Sequence, residues 1–357
     1  MNNGNQTFVR TFILLGLSNT PGLQLILFLL FLLMYTTTLS GNLLLIIMVR
    51  LHSSLQTPMY FFLSNLACID ICFSSTIVPK LLADTISYDK EISFLGCATQ
   101  MYFHLALGAT ECLILAVMAY DRYIAICKPL QYNTIIDKKL CLYLAAGSWT
   151  VSFLISVVHA AFTFQLPYCK SNQINHYFCE MPPLFRLSCK DTWLNEIAVY
   201  ICGGLIALCS FILTLLSYVH IISTILHIRC TKGRQKAFST CGSHLTVVSL
   251  YFGTIMFMYL RPHSLYSPNR DRVVSILYTV VTPMLNPIIY SVRNKDFTGT
   301  IKKTMGRSLG SRLGRQMHVY AICRHRTMTC ICRPGLGTRR PAAGRRGRWG
   351  TVPESEY

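Results

Sequence analysis

Long apolar stretches separated by short polar segments recur along most of this 357-residue chain. A hydrocarbon layer of roughly 30 Å takes about 20 helical residues to cross, because a helix satisfies its own backbone hydrogen bonds there. Seven stretches are long enough, so the pattern predicts an all-α fold, a seven-transmembrane helix bundle. The predicted spans are approximately residues 23–49, 58–82, 97–126, 140–160, 197–226, 237–260 and 272–291.

The composition agrees with a membrane protein, because 52% of the residues are hydrophobic and only 13% are charged. A soluble domain carries about twice that share of charge. The net charge of +19 is unevenly placed, since residues 293–357 hold 15 Lys and Arg against 3 Asp and Glu. Charge gathered in a tail and in short loops is typical of membrane topology. We therefore expect membrane lipid, and no nucleic acid, among the partners.

The basic residues also orient the chain. With the N-terminus outside, 24 of the 33 Lys and Arg fall on the cytoplasmic side, as the positive-inside rule favours. The glycosylation sequon at Asn5 then lies outside as well. We expect a plasma-membrane protein with an extracellular N-terminus at 1–22, a membrane domain at 23–305 and an atypical cytoplasmic tail at 306–357.

Four of the 16 cysteines would face the oxidising side in this topology. Cys97 begins the third span, and Cys169, Cys179 and Cys189 fall in the 161–196 loop. Four cysteines allow three pairings, and their spacing does not choose among them. A bond from Cys97 to the loop would hold a lid over the mouth of the bundle.

Two acids, Asp70 and Glu111, lie midway along the second and third spans. Ionisable groups at membrane depth are costly and usually functional, so the pair is a candidate sodium or proton site. The alternative is that the carboxyls are neutral and hydrogen-bonded. His104 lies two turns before Glu111 on the same face, as a pocket-lining group or a satisfied interior histidine. We expect no other cofactor and no firm metal site.

An acid and an arginine stand together in "MAYDRYIAIC", at the cytoplasmic end of the third span. An arginine held by its neighbouring acid is a latch, because breaking the pair frees the guanidinium to bind elsewhere. The alternative is that Asp121 and Arg122 only reach for the interface, as long charged side chains do.

Longer segments carry a family resemblance. The chain resembles a class A (rhodopsin-like) G-protein-coupled receptor, and specifically a tetrapod-type (class II) odorant receptor. Class A features are Gly41–Asn42, Asp70 in "NLACID", "DRY", Trp149 and "NPIIY". The segments similar to odorant receptors are "LHSSLQTPMYFFLSNLACIDIC" at 51–72, "MAYDRYIAICKPLQY" at 118–132, "SY" at 217–218, "KAFSTCGSHLTVV" at 236–248 and "PMLNPIIYSVRNK" at 283–295.

The resemblance implies a receptor and no enzymatic activity. A small, mainly apolar volatile molecule would bind in the outer half of the bundle and activate a heterotrimeric G protein of the stimulatory olfactory type, raising cAMP. The resemblance also implies disulfides Cys97–Cys179 and Cys169–Cys189, a sodium or proton site at Asp70 and Glu111, and a short amphipathic helix after the seventh span.

The resemblance assigns two further groups of residues by position. The ligand pocket would include His104, Leu105, Gly108, Ala109, Cys202, Ile206, Phe252, Tyr259, Ile276 and Thr279. The residues of the switch that couples to the G protein would be Asp121, Arg122, Tyr123, Tyr218, Asn286, Pro287 and Tyr290.

Two features depart from the family pattern. Where relatives read "FYG" in the sixth helix, this chain reads "YFG" at 251–253, so we expect an aromatic ring without a hydroxyl at Phe252. The Arg- and Gly-rich tail from about residue 306 cannot bury a core and is predicted to be disordered. It would contact anionic lipid, bind zinc through its Cys and His residues, or have no selected role.

Other classes of protein are weaker interpretations. A transporter is expected to show internal repeats, and none is found. A retinal photoreceptor needs a lysine in the seventh span, and 272–291 contains none. The nearest alternative to an odorant receptor is a chemosensor for a non-volatile metabolite outside the nose.

Overall fold

The computed structural model describes residues 10–18, 20–227, 230–259, 268–293, 297–301 and 304. The sequon at Asn5 and the tail from residue 306 lie outside these residues, as does the side chain of Tyr259. Glycosylation of Asn5, the disorder of the tail and the place of Tyr259 in the ligand pocket therefore stay predictions.

Within the described residues, seven helices are long and apolar enough to cross a membrane, which confirms the predicted bundle. Most of them extend beyond the predicted spans by a few residues. They are α1 (Pro21–Leu51), α2 (Pro58–Ile86), α3 (Phe94–Cys127), α4 (Lys138–Phe164), α5 (Trp193–His227), α6 (Thr231–Tyr259) and α7, which runs through Pro268–Ile276, a π-helical segment Leu277–Val281 and Thr282–Arg293.

Local sequence explains where several helices begin. Proline opens α1 and α2, because its missing N–H costs nothing in a first turn. Side-chain caps open two others: Ser93 accepts a hydrogen bond from the Gly96 amide at 3.0 Å, and Asp137 accepts one from the Leu140 amide at 2.7 Å. Residues 297–301, just after α7, are also helical.

The helix α3 lies at the centre of the bundle, in contact with α2, α4, α5 and α6. Its buried positions run its whole length, from Cys97 to Ile124. In contrast, α1 exposes a row of large apolar side chains that includes Leu25, Ile26 and Leu33. Such a surface would be a liability in water, but it is the expected contact surface for lipid tails.

Three short strands close one end of the bundle. The strand β1 (Thr11–Leu14) is the middle strand, antiparallel to β2 (Glu91–Ser93) and parallel to β3 (Gln173–Ile174). Phe12 and Leu14 of β1 are fully buried. The N-terminal segment therefore ties the loop after α2 to the loop after α4, an arrangement that the apolar pattern did not predict.

Residues 165–192, between α4 and α5, form a cover that we call the lid. Two disulfides fix it: Cys97–Cys179, with Cα atoms 5.5 Å apart, and Cys169–Cys189, with Cα atoms 5.8 Å apart. These are the pairings that the resemblance implied. The N-terminal segment after β1 is attached to α7, because Arg272 donates a hydrogen bond from Nη1 to the carbonyl oxygen of Gly16 at 2.7 Å.

Candidate functional site

An apolar cavity of about 210 Å³ lies beneath the lid, lined mainly by α3, α4, α5 and α6 and also by single residues of α2, the lid and α7. It is lined by five of the residues predicted to contact a ligand: His104, Leu105, Gly108, Ala109 and Ile206. The lining that the sequence did not identify includes Phe73, Cys112, Ser156, His159, Met181, Gly203, Tyr251 and Tyr278. The contribution of α4, through Ser156 and His159, was missed entirely, because the predicted pocket omitted that helix.

Four predicted pocket residues, Cys202, Phe252, Ile276 and Thr279, do not line this cavity. Three of them stand one residue away from a residue that does: Gly203, Tyr251 or Tyr278. One residue is about 100° of helix rotation, so such an error turns a side chain away from the cavity. In α7 the π-helical segment Leu277–Val281 adds to the error, since it departs from the 3.6-residue period.

In "YFG" at 251–253, Phe252 presents a ring without a hydroxyl, as expected, and the hydroxyl at the cavity wall belongs to the preceding residue, Tyr251. Tyr251 lines the cavity and donates a hydrogen bond from its hydroxyl to the carbonyl oxygen of Gly108 at 2.6 Å. Phe252 is buried beside Phe211 instead, with ring centroids 5.7 Å apart. The Tyr251 hydroxyl therefore joins α6 to α3 across the cavity wall.

His104 connects the cavity to a buried polar cluster under the lid. Its ring lies 4.9 Å from that of Phe178 and 6.0 Å from that of Tyr278, measured between centroids. Tyr278 donates a hydrogen bond to Glu180 Oε1 at 3.1 Å, and His176 Nε2 lies 3.6 Å from Glu180 Oε2. His104 lines the cavity, and its Nδ1 is buried without a hydrogen-bond partner in the described residues, so it matches the pocket-lining alternative and not that of a satisfied interior histidine.

Burial lowers the pKa of His176 in the lid to about 3, and the nearby Arg272 and His104 act in the same direction. His176 is therefore neutral near pH 7, and its contact with Glu180 joins a neutral imidazole to a carboxyl group. The lid stacks this ring on Tyr177, with centroids 4.7 Å apart.

The two acids predicted to form an ion site are both buried in the centre of the bundle. Asn286 Nδ2 donates to Asp70 Oδ1 at 3.0 Å and to Oδ2 at 3.1 Å. Within the described residues, Glu111 Oε1 and Asn286 Oδ1 are buried without a hydrogen-bond partner. Unpaired oxygen atoms beside a second carboxylate fit a small hard cation such as Na⁺, which prefers oxygen ligands.

The opposite end of α3 carries residues that are predicted to form the switch, and the predicted ion pair between two of them is not found among the described residues. No Asp121–Arg122 ion pair is present in the described part of the chain; instead Asp121 accepts a hydrogen bond from the Tyr132 hydroxyl at 2.8 Å. Adjacent residues on a helix point about 100° apart, so the two side chains diverge. The hydrogen-bond partner of Asp121 is therefore a tyrosine from the segment between α3 and α4.

Three of the predicted switch residues, Arg122, Tyr218 and Tyr290, lie near one another between α3, α5, α6 and α7. The Tyr218 hydroxyl lies 2.8 Å from His244 Nδ1, and the two rings stack at 5.7 Å. Arg122 lies within electrostatic range of Tyr218, His244 and Tyr290. His244 was not predicted as a site residue, although it stands in the quoted segment "KAFSTCGSH". Tyr123 lies to one side, with its ring 5.9 Å from Lys128 Nζ.

Close approach of α1 to α7 depends on Gly41. A Cβ atom there would lie 3.0 Å from Cγ of Pro287, so a larger residue would push the helices apart. The predicted switch residue Pro287 of α7 thus packs on α1 at Gly41. The next residue of α1, Asn42, donates a hydrogen bond from Nδ2 to the carbonyl oxygen of Pro283 in α7 at 3.1 Å.

Seven membrane-spanning helices around a lidded apolar cavity, with a buried polar cluster at the far end of α3, define a seven-helix transmembrane receptor. The chain belongs to the olfactory receptor family, since the family model described as "Olfactory receptor" matches residues 31–308. Membership confirms the predicted family of class A receptors and the prediction that the chain is not an enzyme.

Curated relatives match along nearly their whole length. Olfactory receptor 5AR1 of Mus musculus is 48% identical over 307 residues, covering 86% of this chain and 99% of the relative. Olfactory receptor-like protein OLF1 of Canis lupus familiaris is 49% identical over 302 residues, 85% of this chain and 97% of the relative. Olfactory receptor 1F1 of Homo sapiens is 50% identical over 307 residues, which cover 86% of this chain and 98% of the relative.

Proposed function

We propose that this protein is an odorant receptor that binds small, mainly apolar volatile molecules and activates a stimulatory G protein of the olfactory type, raising cAMP. One observation carries the proposal: the helix that lines the apolar cavity at His104 and Gly108 also carries Arg122, five residues before its last residue Cys127. The same rigid element thus meets both the ligand and the cytoplasmic partner. The relatives are named as olfactory receptors, which supports the choice of odorants as ligands.

The chemistry of the cavity sets the expected affinity. Burying apolar area yields ~25 cal/mol per Å², so an odorant that buries about 200 Å² gains ~5 kcal/mol. That free energy corresponds to sub-millimolar binding at best. We therefore expect weak and broad recognition rather than tight binding of one compound.

Signalling requires the ligand to bind the active arrangement more tightly than the inactive one. Tyr251 provides a route, because it joins α3 to α6 at the cavity wall. A ligand that displaces this contact biases α6, whose opposite half holds His244 against Tyr218. The shift would release Asp121 from Tyr132, open the inner face and let Arg122 engage the G protein, with Tyr290 moving in support.

The buried acids fit a regulatory role in this scheme. A sodium ion held by Asp70 and Glu111 would stabilise the inactive arrangement, since it draws α2, α3 and Asn286 of α7 together. Its loss on activation would let α7 rearrange. The chain's own carboxylates supply the charge, and no other cofactor enters the proposal.

The proposed topology puts the lid and Asn5 outside the plasma membrane and the basic tail inside. Arginines of the tail would then contact anionic lipid of the inner leaflet. A second candidate function, a chemosensor for a non-volatile metabolite, uses the same cavity. The polar residues His104, Ser156 and His159 on its wall favour that reading only for ligands with hydrogen-bonding groups.

A cAMP-reporter assay of the full chain against a wide odorant panel tests the proposal. We expect at least one odorant to raise cAMP, and Arg122→Ala to abolish the response while surface expression persists. A normal response from Arg122→Ala would contradict the role of Arg122. Silence of the surface-expressed receptor towards the whole panel, with a response to non-volatile metabolites, would favour the second candidate.

A further inference from the structure

The side chain of His159 has a fixed hydrogen-bonding role at the cavity wall. Its Nδ1 lies 2.9 Å from the backbone oxygen of Ile155, one turn earlier on α4. A backbone carbonyl accepts hydrogen bonds and never donates them, so this contact assigns the imidazole proton to Nδ1. In a neutral ring the other nitrogen, Nε2, then has a lone pair and no hydrogen. His159 therefore offers an occupant an acceptor.

This acceptor has no partner within the described residues, although His159 lines the cavity and is only 8% exposed. Ser156 lies three residues earlier on the same face of α4 and lines the cavity too. Its hydroxyl both donates and accepts. A ligand that covers the wall without pairing Nε2 leaves a buried acceptor unsatisfied, which weakens binding roughly tenfold.

Two of the other polar groups of the wall have already committed their hydrogens, whereas His104 on α3 has a buried Nδ1 with no hydrogen-bond partner in the described residues. Tyr251 donates to the Gly108 carbonyl oxygen, and Tyr278 donates to Glu180. The described lining contains no Lys, Arg, Asp or Glu, so an ionised acid or amine finds no countercharge. The wall thus disfavours charged ligands and leaves an unpaired acceptor.

We infer that the cavity selects a neutral, mainly apolar molecule with one hydroxyl group, which donates to His159 Nε2 and accepts from Ser156. The inference rests on the proposed function, because it takes the cavity as the odorant site. Carbonyl compounds and ethers have acceptors only and cannot pair Nε2. A hydroxyl group can donate to His159 Nε2 and also accept from Ser156. His159 is therefore a specificity-determining residue.

Matched ligand sets test this with the full-length receptor in the cAMP-reporter assay. Each skeleton is supplied as an alcohol, a carbonyl compound and a methyl ether; n-octanol, octanal and methyl heptyl ether form one set, and menthol, menthone and menthyl methyl ether another. Alcohols should activate at concentrations roughly tenfold lower than their partners. Carbonyl compounds or ethers that match or exceed the alcohols across the sets would overturn the inference.

Substitutions then locate the preference. His159→Leu should reduce the difference between alcohols and ethers to about threefold or less, whereas His159→Gln keeps an acceptor and should retain most of it. His227→Leu is the matched control, because His227 Nδ1 makes the same contact with the Ser223 oxygen, at 2.7 Å, away from the cavity. A full alcohol preference in surface-expressed His159→Leu would overturn the inference.

The assay separates this inference from the proposed function. Activation by acids, amines or esters, without the alcohols, would refute the selection of hydroxyl groups and leave the odorant-receptor proposal standing. Silence of the surface-expressed receptor towards every volatile compound would instead refute the proposed function, and the inference with it. If His159→Leu does not reach the surface, the ranking in the wild-type chain and in His159→Gln decides the question.

Discussion

At the scale of single residues, the hydrogen-bond partner of a side chain could not be predicted from its residue type. The segment "MAYDRYIAIC" predicted an arginine held by its neighbouring acid, yet Asp121 is bonded to Tyr132, a residue of the following loop. Burial and the neighbouring Asp121 raise the pKa of Tyr132, so its hydroxyl remains a donor across the physiological range. The role of the motif as a switch stays a prediction, and the partner of Asp121 could not be read from adjacent letters because it comes from another segment.

Removing this hydrogen bond should raise basal signalling. In Tyr132→Phe the buried Asp121 loses its donor, which costs the resting arrangement roughly 1 to 3 kcal/mol. We expect basal cAMP per surface receptor to rise severalfold. Tyr143→Phe is the control, because Tyr143 of α4 is 71% exposed. Equal basal activity in the two variants would show that the Tyr132 contact does not restrain the receptor.

The lid should weaken in acid because of His176. Its pKa is about 3 in the folded lid and ~6.5 when unfolded, so the unfolded state takes up the proton first as pH falls. The stability that neutral His176 contributes to the folded lid is fully present above about pH 6.5 and is lost progressively as the pH falls towards 3. At about pH 5 the free energy of unfolding has fallen by ~2 kcal/mol.

Thermal unfolding of purified receptor in detergent checks this at about pH 5 and 7.5. We expect the melting temperature of the wild type to fall more than that of His176→Gln, which has no proton to take up. Parallel losses in both proteins would assign the acid sensitivity to other groups.

At the scale of elements, hydropathy predicted every spanning helix but not the faces they present. The π-helical segment Leu277–Val281 shifts the inward face of α7, so Tyr278 lines the cavity where Thr279 was predicted. The strands were missed for a different reason. With two to four residues each, they are too short to show a period-two pattern.

Contact between α1 and α7 should tolerate no side chain at Gly41. Gly41→Val would place atoms against Pro287, where a Cβ alone already comes within 3.0 Å of Cγ. Overpacking of this kind costs about 1 to 3 kcal/mol, so surface expression and melting temperature should fall. Gly147→Val makes the same change on α4 with no atom within 4 Å. Similar losses in both variants would attribute the effect to helix propensity instead of packing.

At the scale of the whole molecule, one disulfide joins the lid to the bundle and a second closes a loop within the lid. The Cys97–Cys179 bond spans 82 residues of sequence and joins the lid to α3, whereas Cys169–Cys189 spans 20 and closes a loop within the lid. Loop-closure entropy predicts contributions of ~4.5 and ~3.3 kcal/mol respectively, so the longer link stabilises more.

Substitution of each pair should therefore have unequal effects. The double variant Cys97→Ser with Cys179→Ser should lose most surface expression, while Cys169→Ser with Cys189→Ser should retain more and melt at a higher temperature. Flow cytometry and thermal unfolding measure the two effects. The reverse order would show that the closure of the lid itself matters more than its attachment to α3.

The sequence by itself determined the number of spans, the family and the residue types at both ends of α3. These follow from local quantities: apolar length sets whether a helix can cross a membrane, and long motifs are read directly. Only the tertiary structure decided that Tyr251 faces the cavity instead of Phe252, that α4 contributes His159, and that Tyr132 holds Asp121. Those outcomes depend on helix rotation and on contacts between distant segments, which packing against neighbouring helices fixes.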